Sequence, residues 1–152
     1  MEDIVDRIEK SAQMAALLEV SGTPKPGNVH RNQNFPDTKY EHFLASSVAL
    51  GKTMRKAARK GIEISEGKIK ASNSELGTLI KEGIENTQNS HEGGNTHLGT
   101  ILLFTPISIA AGKTLKENQT FKLDPLQKRI CVNKTSRTPR NKRERRWVLL
   151  LQ

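Results

Sequence analysis

Cysteine occurs once in this chain, as Cys131, and tryptophan and tyrosine occur once each. One cysteine excludes an internal disulfide framework and any zinc site built on cysteines. Aromatic residues make up only 4% of the sequence, so a core must be mainly aliphatic. There is no uninterrupted apolar run of 18 or more residues, the simplest mark of a membrane-spanning helix. The start, Met1-Glu2-Asp3-Ile4, is acidic and lacks the basic-then-apolar order of a secretory signal. A cytoplasmic protein with no membrane partner is expected. The four histidines form no HExxH and no four-residue spacing, so no metal site is expected. No repeat of fixed period occurs, and no strand pattern competes before residue 126.

The formal net charge of +9 is unevenly spread over the 152 residues. Residues 128 to 152 hold nine of the 25 Lys and Arg but one of the 16 Asp and Glu, leaving 16 basic against 15 acidic groups before them. The basic character therefore belongs to a tail and says little about the partner of the rest. That tail has no apolar period until Trp147-Val148-Leu149-Leu150-Leu151, and it is expected to be disordered or frame-shifted. The domain division expected is 1–127, a single helical domain, and 128–152, the tail.

In the first domain, Ile4, Ile8, Ala12, Ala15 and Leu18 make a helical stripe over residues 3–20, ended by Ser21-Gly22. Thr23-Pro24-Lys25-Pro26-Gly27-Asn28-Val29 cannot be helical, because each proline biases its predecessor to extended geometry. A rigid loop should continue to Asp37. Asp37 or Thr38 can cap a helix over 39–60, with Phe43, Leu44, Ser47, Leu50, Gly51, Met54 and Ala58 on one face. Residues 61–70 form a polar connector, with a short extended piece at 62–64. Ser72 or Asn73 can start a third helix to about Thr87. A fourth runs from Leu98 to about Gly112, kinked or broken at Pro106. The fold class is all-α, a bundle of about four to five helices with a basic C-terminal tail.

Two polar constellations stand out. Prolines pin the first, which holds Lys25, Asn28, His30, Arg31 and Asp37. Glycines shape the second, Glu92-Gly93-Gly94-Asn95-Thr96-His97-Leu98-Gly99. Asn95 or Thr96 can cap the helix that follows, whose first N–H groups favour an anion. By spacing alone this is a Gly-rich turn with a helix cap. It matches neither GxGxxG nor a P-loop. His42, inside a helix, reads as structural.

At these loops the sequence resembles a known family. Leu17-Leu18-Glu19-Val20-Ser21 with Pro24-Lys25-Pro26-Gly27-Asn28-Val29 is similar to the first signature of the triphosphoribosyl-dephospho-coenzyme A synthase family. Phe43-Leu44-Ala45-Ser46 fits the same family, and Gly93-Gly94-Asn95-Thr96-His97-Leu98-Gly99 resembles its second signature. The likeness runs from about Ala15 to Ala111. It implies an all-α transferase that joins the triphosphoribosyl part of ATP to the 2′-hydroxyl of 3′-dephospho-CoA and releases adenine. ATP is then a substrate, and Mg2+ on its triphosphate is the implied cofactor. The implied ligand-binding residues are Lys25, Gly27, Asn28, Arg31, Gly94, Asn95, Thr96 and Gly99. His97, Asp37 or Glu19 would handle the proton.

The sequence departs from that family in three places. Leu98 stands where many bacterial members have lysine after the histidine. The aspartate-rich segment after the first loop is reduced to Asp37-Thr38-Lys39. The His30-Arg31 and Asn-Thr-His-Leu-Gly wording is closer to archaeal relatives. Members are also nearly twice this long, so a truncated chain, inactive on its own or prone to self-association, is expected. Two other readings are a nucleic-acid-binding protein using the basic tail and a non-catalytic remnant. The tail lacks aromatic interleaving, which weighs against nucleic acid.

Overall fold

Helix α1 (Glu2–Ser21) opens with Glu2 and Asp3 at the positive end of its dipole. In the computed structural model, which describes residues 1–118, it is followed by α2 (Tyr40–Ala49), α3 (Gly51–Ser65), α4 (Leu76–Gln88) and α5 (Leu98–Asn118). The domain boundary at 127 and the tail over 128–152 lie outside the described residues. Among the described residues there is no strand, only an isolated bridge between His30 and Gln33. The all-α bundle is thus what forms.

The buried stripe of α1 is Val5, Ile8, Ala12, Ala16 and Val20. It starts one residue later than the expected stripe and leaves Ala15 and Leu18 exposed. Spacings of three and four place both sets near one face. Packing selects the set that turns toward α3 and α5. Arg55 of α3 locks the pair, its guanidinium pairing with Glu2, Asp6 and Glu9 along one face of α1. Those acids hold the Arg55 pKa above its ordinary value, Asp6 and then Glu9 acting through hydrogen bonds.

The helix expected over 39–60 is two segments that meet at Leu50. The backbone there stays right-handed, and Leu50 N–H still reaches the Ser46 carbonyl at 3.0 Å. The cap is not Asp37 or Thr38. The first helical N–H, on Tyr40, goes to Asn34 Oδ1 at 2.8 Å, and Lys39 N–H goes to His42 Nδ1 at 3.2 Å. The expected extended piece at 62–64 is helical. Gly61 keeps α3 winding because it lies against α5, where a Cβ would overlap the Ile109 carbonyl oxygen. Gly112 does the same from the other side, against the Ala58 carbonyl oxygen. Two glycines thus let α3 and α5 cross backbone to backbone, and α5 continues past Gly112 to Asn118.

Helix α4 starts later than Ser72 or Asn73. Residues Ala71–Asn73 form a 3-10 turn, and Glu75, left-handed at φ 55, precedes the helix. Lys60 Nζ holds the Glu75 carboxylate at 2.8 Å. α5 runs through Pro106 without a break. The lost N–H would have served the Leu102 carbonyl, and that residue is half exposed, where water can take the bond. By length and mean hydropathy, 1.4 over its most apolar window, α5 could also cross a bilayer. Half of that window is buried in the bundle. Val5, Ile8, Ala58, Ile62, Ala110, Ala111 and Leu115 form the main core cluster. A smaller cluster, Val20, Val29 and Phe43, lies under the loop between α1 and α2.

Candidate functional site

Lys25-Pro26-Gly27-Asn28 folds as a turn closed by Asn28 N–H on the Lys25 carbonyl at 3.3 Å. Proline second and a glycine third at φ 74 are what a type II turn requires. Asn28 Oδ1 then takes the Val29 N–H at 2.8 Å, and Val29 is buried, so the loop is anchored from below. His30 and Gln33 exchange two backbone bonds, at 3.1 and 2.9 Å, which fix the next bend.

The basic groups of this loop point back at α1. Lys25 Nζ pairs with the Glu19 carboxylate and donates to the Glu19 carbonyl at 3.3 Å. Arg31 Nε donates to the Ser21 carbonyl at 3.3 Å. Both cations sit where the α1 dipole is negative and its last carbonyls lack helical partners. Lys25 is therefore an ion-paired lysine rather than a free point charge.

The second loop is built around two histidines that stack at 5.1 Å with an 11° interplanar angle, His42 from α2 and His91 from the loop. His91 Nδ1 takes the Gly93 N–H at 3.0 Å, and its Nε2 lies 3.2 Å from Thr96 Oγ1. A Cβ on Gly93 would overlap the His42 ring. Close approach is thus why position 93 is glycine. Asn95 Oδ1 accepts the Leu98 N–H at 3.1 Å, so Asn95 is the cap of α5, one of the two expected. Burial, followed by the neighbouring His42, holds the His91 pKa below its ordinary value.

The two loops meet. Gly94 N–H reaches the Asp37 carbonyl at 3.4 Å, and the Gly94 Cα faces Thr38 Oγ1 and the Asp37 carboxylate. Asp37 itself is exposed. Gly99 is exposed with open space around its Cα.

His97 turns the other way. It is 2% exposed, with Nδ1 2.6 Å from Ser46 Oγ, Nε2 3.4 Å from Ser47 Oγ, and its ring edge-on to Phe43 at 5.3 Å. Burial pushes its pKa down to about 4, against a smaller upward pull from the Glu19 carboxylate. Lys25 and His91 add smaller downward pushes. Glu19, Lys25, His91 and His97 therefore share one electrostatic neighbourhood, although 78 positions separate the first from the last.

Of the residues expected to act, Asp37 and Gly94 come into contact, Lys25 and Glu19 pair, and Asn95 and Thr96 are ordered at the start of α5. Arg31, Gly27 and Asn28 shape the first loop. Sequence reasoning missed His91, Ser46 and Ser47, and it gave His42 no part in the loop. The signal that could have found the histidine pair is Gly93 itself, since a glycine beside another glycine implies a close neighbour. Among the described residues no three His, Cys, Asp or Glu side chains gather to hold a metal.

A family model described as ATP:dephospho-CoA triphosphoribosyl transferase matches residues 5–137. The match takes in both loops and runs beyond the described residues. No curated protein and no solved structure gives a match.

Proposed function

The chain belongs to the ATP:dephospho-CoA triphosphoribosyl transferase family, and from that premise we propose that the seam of its two loops receives the triphosphate of ATP. The reaction served is transfer of the triphosphoribosyl group to 3′-dephospho-CoA. The bond from ribose C1′ to adenine breaks, a bond from C1′ to the acceptor 2′-hydroxyl oxygen forms, and the hydroxyl proton is balanced by protonation of adenine. The observation that carries this reading is the contact between Gly94 and Asp37, which joins the two signature loops into one surface.

A triphosphate needs cations and N–H donors. Lys25 and Arg31 are the nearby cations, already oriented by the end of α1. Incoming phosphate would share Lys25 with Glu19 and strengthen rather than create its charge-assisted bonding. Thr96 and Gly99 offer backbone N–H groups at the start of α5, with Gly94 joined to Asp37, Asn95 holding the turn and Gly27 and Asn28 shaping the opposite wall. Asp37 is the exposed carboxylate at the seam and is assigned the acceptor's proton. Glu19 holds Lys25. His97, buried and neutral, positions the Asn95–Thr96 turn. Mg2+ would enter as the counter-ion of the triphosphate, largely coordinated by phosphate and water, since the described residues supply no ligand cage.

ATP titration tests this. Charge-assisted bonds contribute about 1.5–3 kcal/mol each, so Lys25→Ala should weaken ATP binding roughly tenfold to a hundredfold. Unchanged affinity would remove the first loop from the site. Adenine release in the presence of 3′-dephospho-CoA reports whether this chain turns over or only binds.

A further inference from the structure

The His91 ring is held in one orientation from three sides. Its Nδ1 accepts the Gly93 N–H at 3.0 Å, its face stacks on His42 at 5.1 Å, and its Nε2 lies 3.2 Å from Thr96 Oγ1. The His42 ring is itself fixed, because its Nδ1 takes the Lys39 N–H at 3.2 Å.

A backbone N–H can only donate, so His91 Nδ1 carries the lone pair. In the neutral ring the hydrogen then belongs on Nε2, which faces Thr96. Burial, followed by the neighbouring His42, lowers the pKa of His91 and favours the neutral ring. Thr96 Oγ1 is thus the acceptor of this bond, and the hydroxyl sends its own hydrogen elsewhere. Among the described residues nothing accepts that hydrogen. A half-buried hydroxyl with an oriented and unclaimed hydrogen suits an incoming anionic oxygen. Gly94 of the same loop reaches the Asp37 carbonyl at 3.4 Å, so Thr96 lies beside the seam.

We propose that His91 is a positioning residue for ATP: its Nε2–H turns the Thr96 hydroxyl so that the hydroxyl donates to an oxygen of the triphosphate. The assignment rests on the reading of the seam as the triphosphate site, and adds to it a side-chain donor of fixed direction. His42 acts one step further back, holding the plane of the His91 ring. The competing role for His91 is a staple of the Gly93 turn alone, in which only Nδ1 matters.

Two amide substitutions separate these roles. The carboxamide of asparagine can place its oxygen where Nδ1 stands, and that of glutamine its nitrogen where Nε2 stands. His91→Asn therefore keeps the acceptor for Gly93 and loses the donor to Thr96, and His91→Gln does the reverse. Neither keeps the stack, so both should bind ATP more weakly than the parent, and the contrast between them is the measurement. In calorimetric titrations of the full chain, His91→Asn should bind ATP roughly three- to tenfold more weakly than His91→Gln, the effect of one hydrogen bond. A staple of the turn predicts the opposite order. In a Thr96→Val background, which removes the hydroxyl at nearly equal size, the two should bind alike. His91→Asn binding as tightly as His91→Gln, or a difference that survives Thr96→Val, would overturn the assignment. Lys25→Ala, titrated alongside, tells this failure from that of the triphosphate reading. If Lys25→Ala binds as the parent does, the reading fails and takes this inference with it. If Lys25 matters and the amide order is absent or reversed, only the inference fails. Imidazole nitrogen NMR shifts of the parent at neutral pH give a check independent of binding. His91 should carry its hydrogen on Nε2 and none on Nδ1, and the other tautomer would refute the proposal.

Discussion

Ser46 Oγ lies 2.6 Å from His97 Nδ1 with both residues buried, and this contact ties α2 to the first turn of α5. Ser46 Oγ also reaches the His42 and Phe43 carbonyls, at 2.9 and 3.2 Å. Ser47 Oγ lies 3.4 Å from the other ring nitrogen, Nε2, and reaches the Phe43 carbonyl at 2.7 Å, so both serines tie the ring to the backbone of α2. The second signature loop is therefore held from beneath by a neutral imidazole.

Ser46→Ala should lower stability by about 1–3 kcal/mol, the cost of an unsatisfied buried donor. Ser47→Ala should cost less at this joint, because its contact with the ring is 3.4 Å. Urea unfolding of the two variants separates them. Equal losses would show that the 2.6 Å contact is not what holds the loop.

The same imidazole sets a pH dependence. His97 has a folded-state pKa of about 4, below the value of about 6.5 expected when unfolded. Between these values the unfolded chain binds a proton that the folded chain refuses, so stability falls as pH falls. The contribution is fully present above about pH 6.5, is lost on the way down to about 4, and is on the order of 3 kcal/mol by the size of that gap. His91 shifts in the same direction. Urea midpoints measured from pH 7.5 to 4.5 should drop, and His97→Gln should flatten the curve. A profile unchanged by His97→Gln would place the titration elsewhere.

The bundle was legible in the sequence because its apolar positions follow helical spacing. Phe43, Leu50, Met54 and Ala58 are buried as the pattern requires. What the pattern could not show is which of two adjacent stripes turns inward, as with Val5 against Ile4, because that depends on the partner helix. Gly61 and Gly112 looked like a connector and a stop. They are crossing points, since a glycine that ends a helix and one that admits a neighbour are the same letter. At the site, the turn at Pro26-Gly27 and the cap at Asn95 follow from local chemistry and could be read directly. The inward turn of His97 could not, because Ser46 and Ser47 are serines on a helix face until α5 is placed over them.

The glycine crossing makes a sharp contrast between two single changes. Gly112→Ala drives a methyl group into the Ala58 carbonyl, and backbone cannot yield as a side chain can. Overpacking of this kind costs about 1–3 kcal/mol or more. Gly99→Ala meets nothing within 4 Å and should leave stability equal or higher. Thermal unfolding checks the pair. A Gly112→Ala protein as stable as the parent would mean that α3 and α5 are farther apart than this crossing requires.

Gly93→Ala probes the loop without entering the core. Its methyl group would overlap the His42 ring, which can respond by rotating on its own side chain. Rotation breaks the stack with His91 and the Lys39 N–H bond to His42 Nδ1. The cost should therefore fall on loop order more than on the bundle. The unfolding midpoint should move by an amount corresponding to about 1 kcal/mol, one lost hydrogen bond. ATP affinity should fall by roughly tenfold or more, because donors around Gly94 and Thr96 would have to be re-ordered on binding. Gly77→Ala on α4 is the control: its methyl group would meet nothing within 4 Å, and it lies outside both loops. Calorimetric titration of both variants with ATP reads the difference. If Gly93→Ala binds ATP as well as Gly77→Ala does, the histidine stack is not what orders the loop, and its role in the site fails with it.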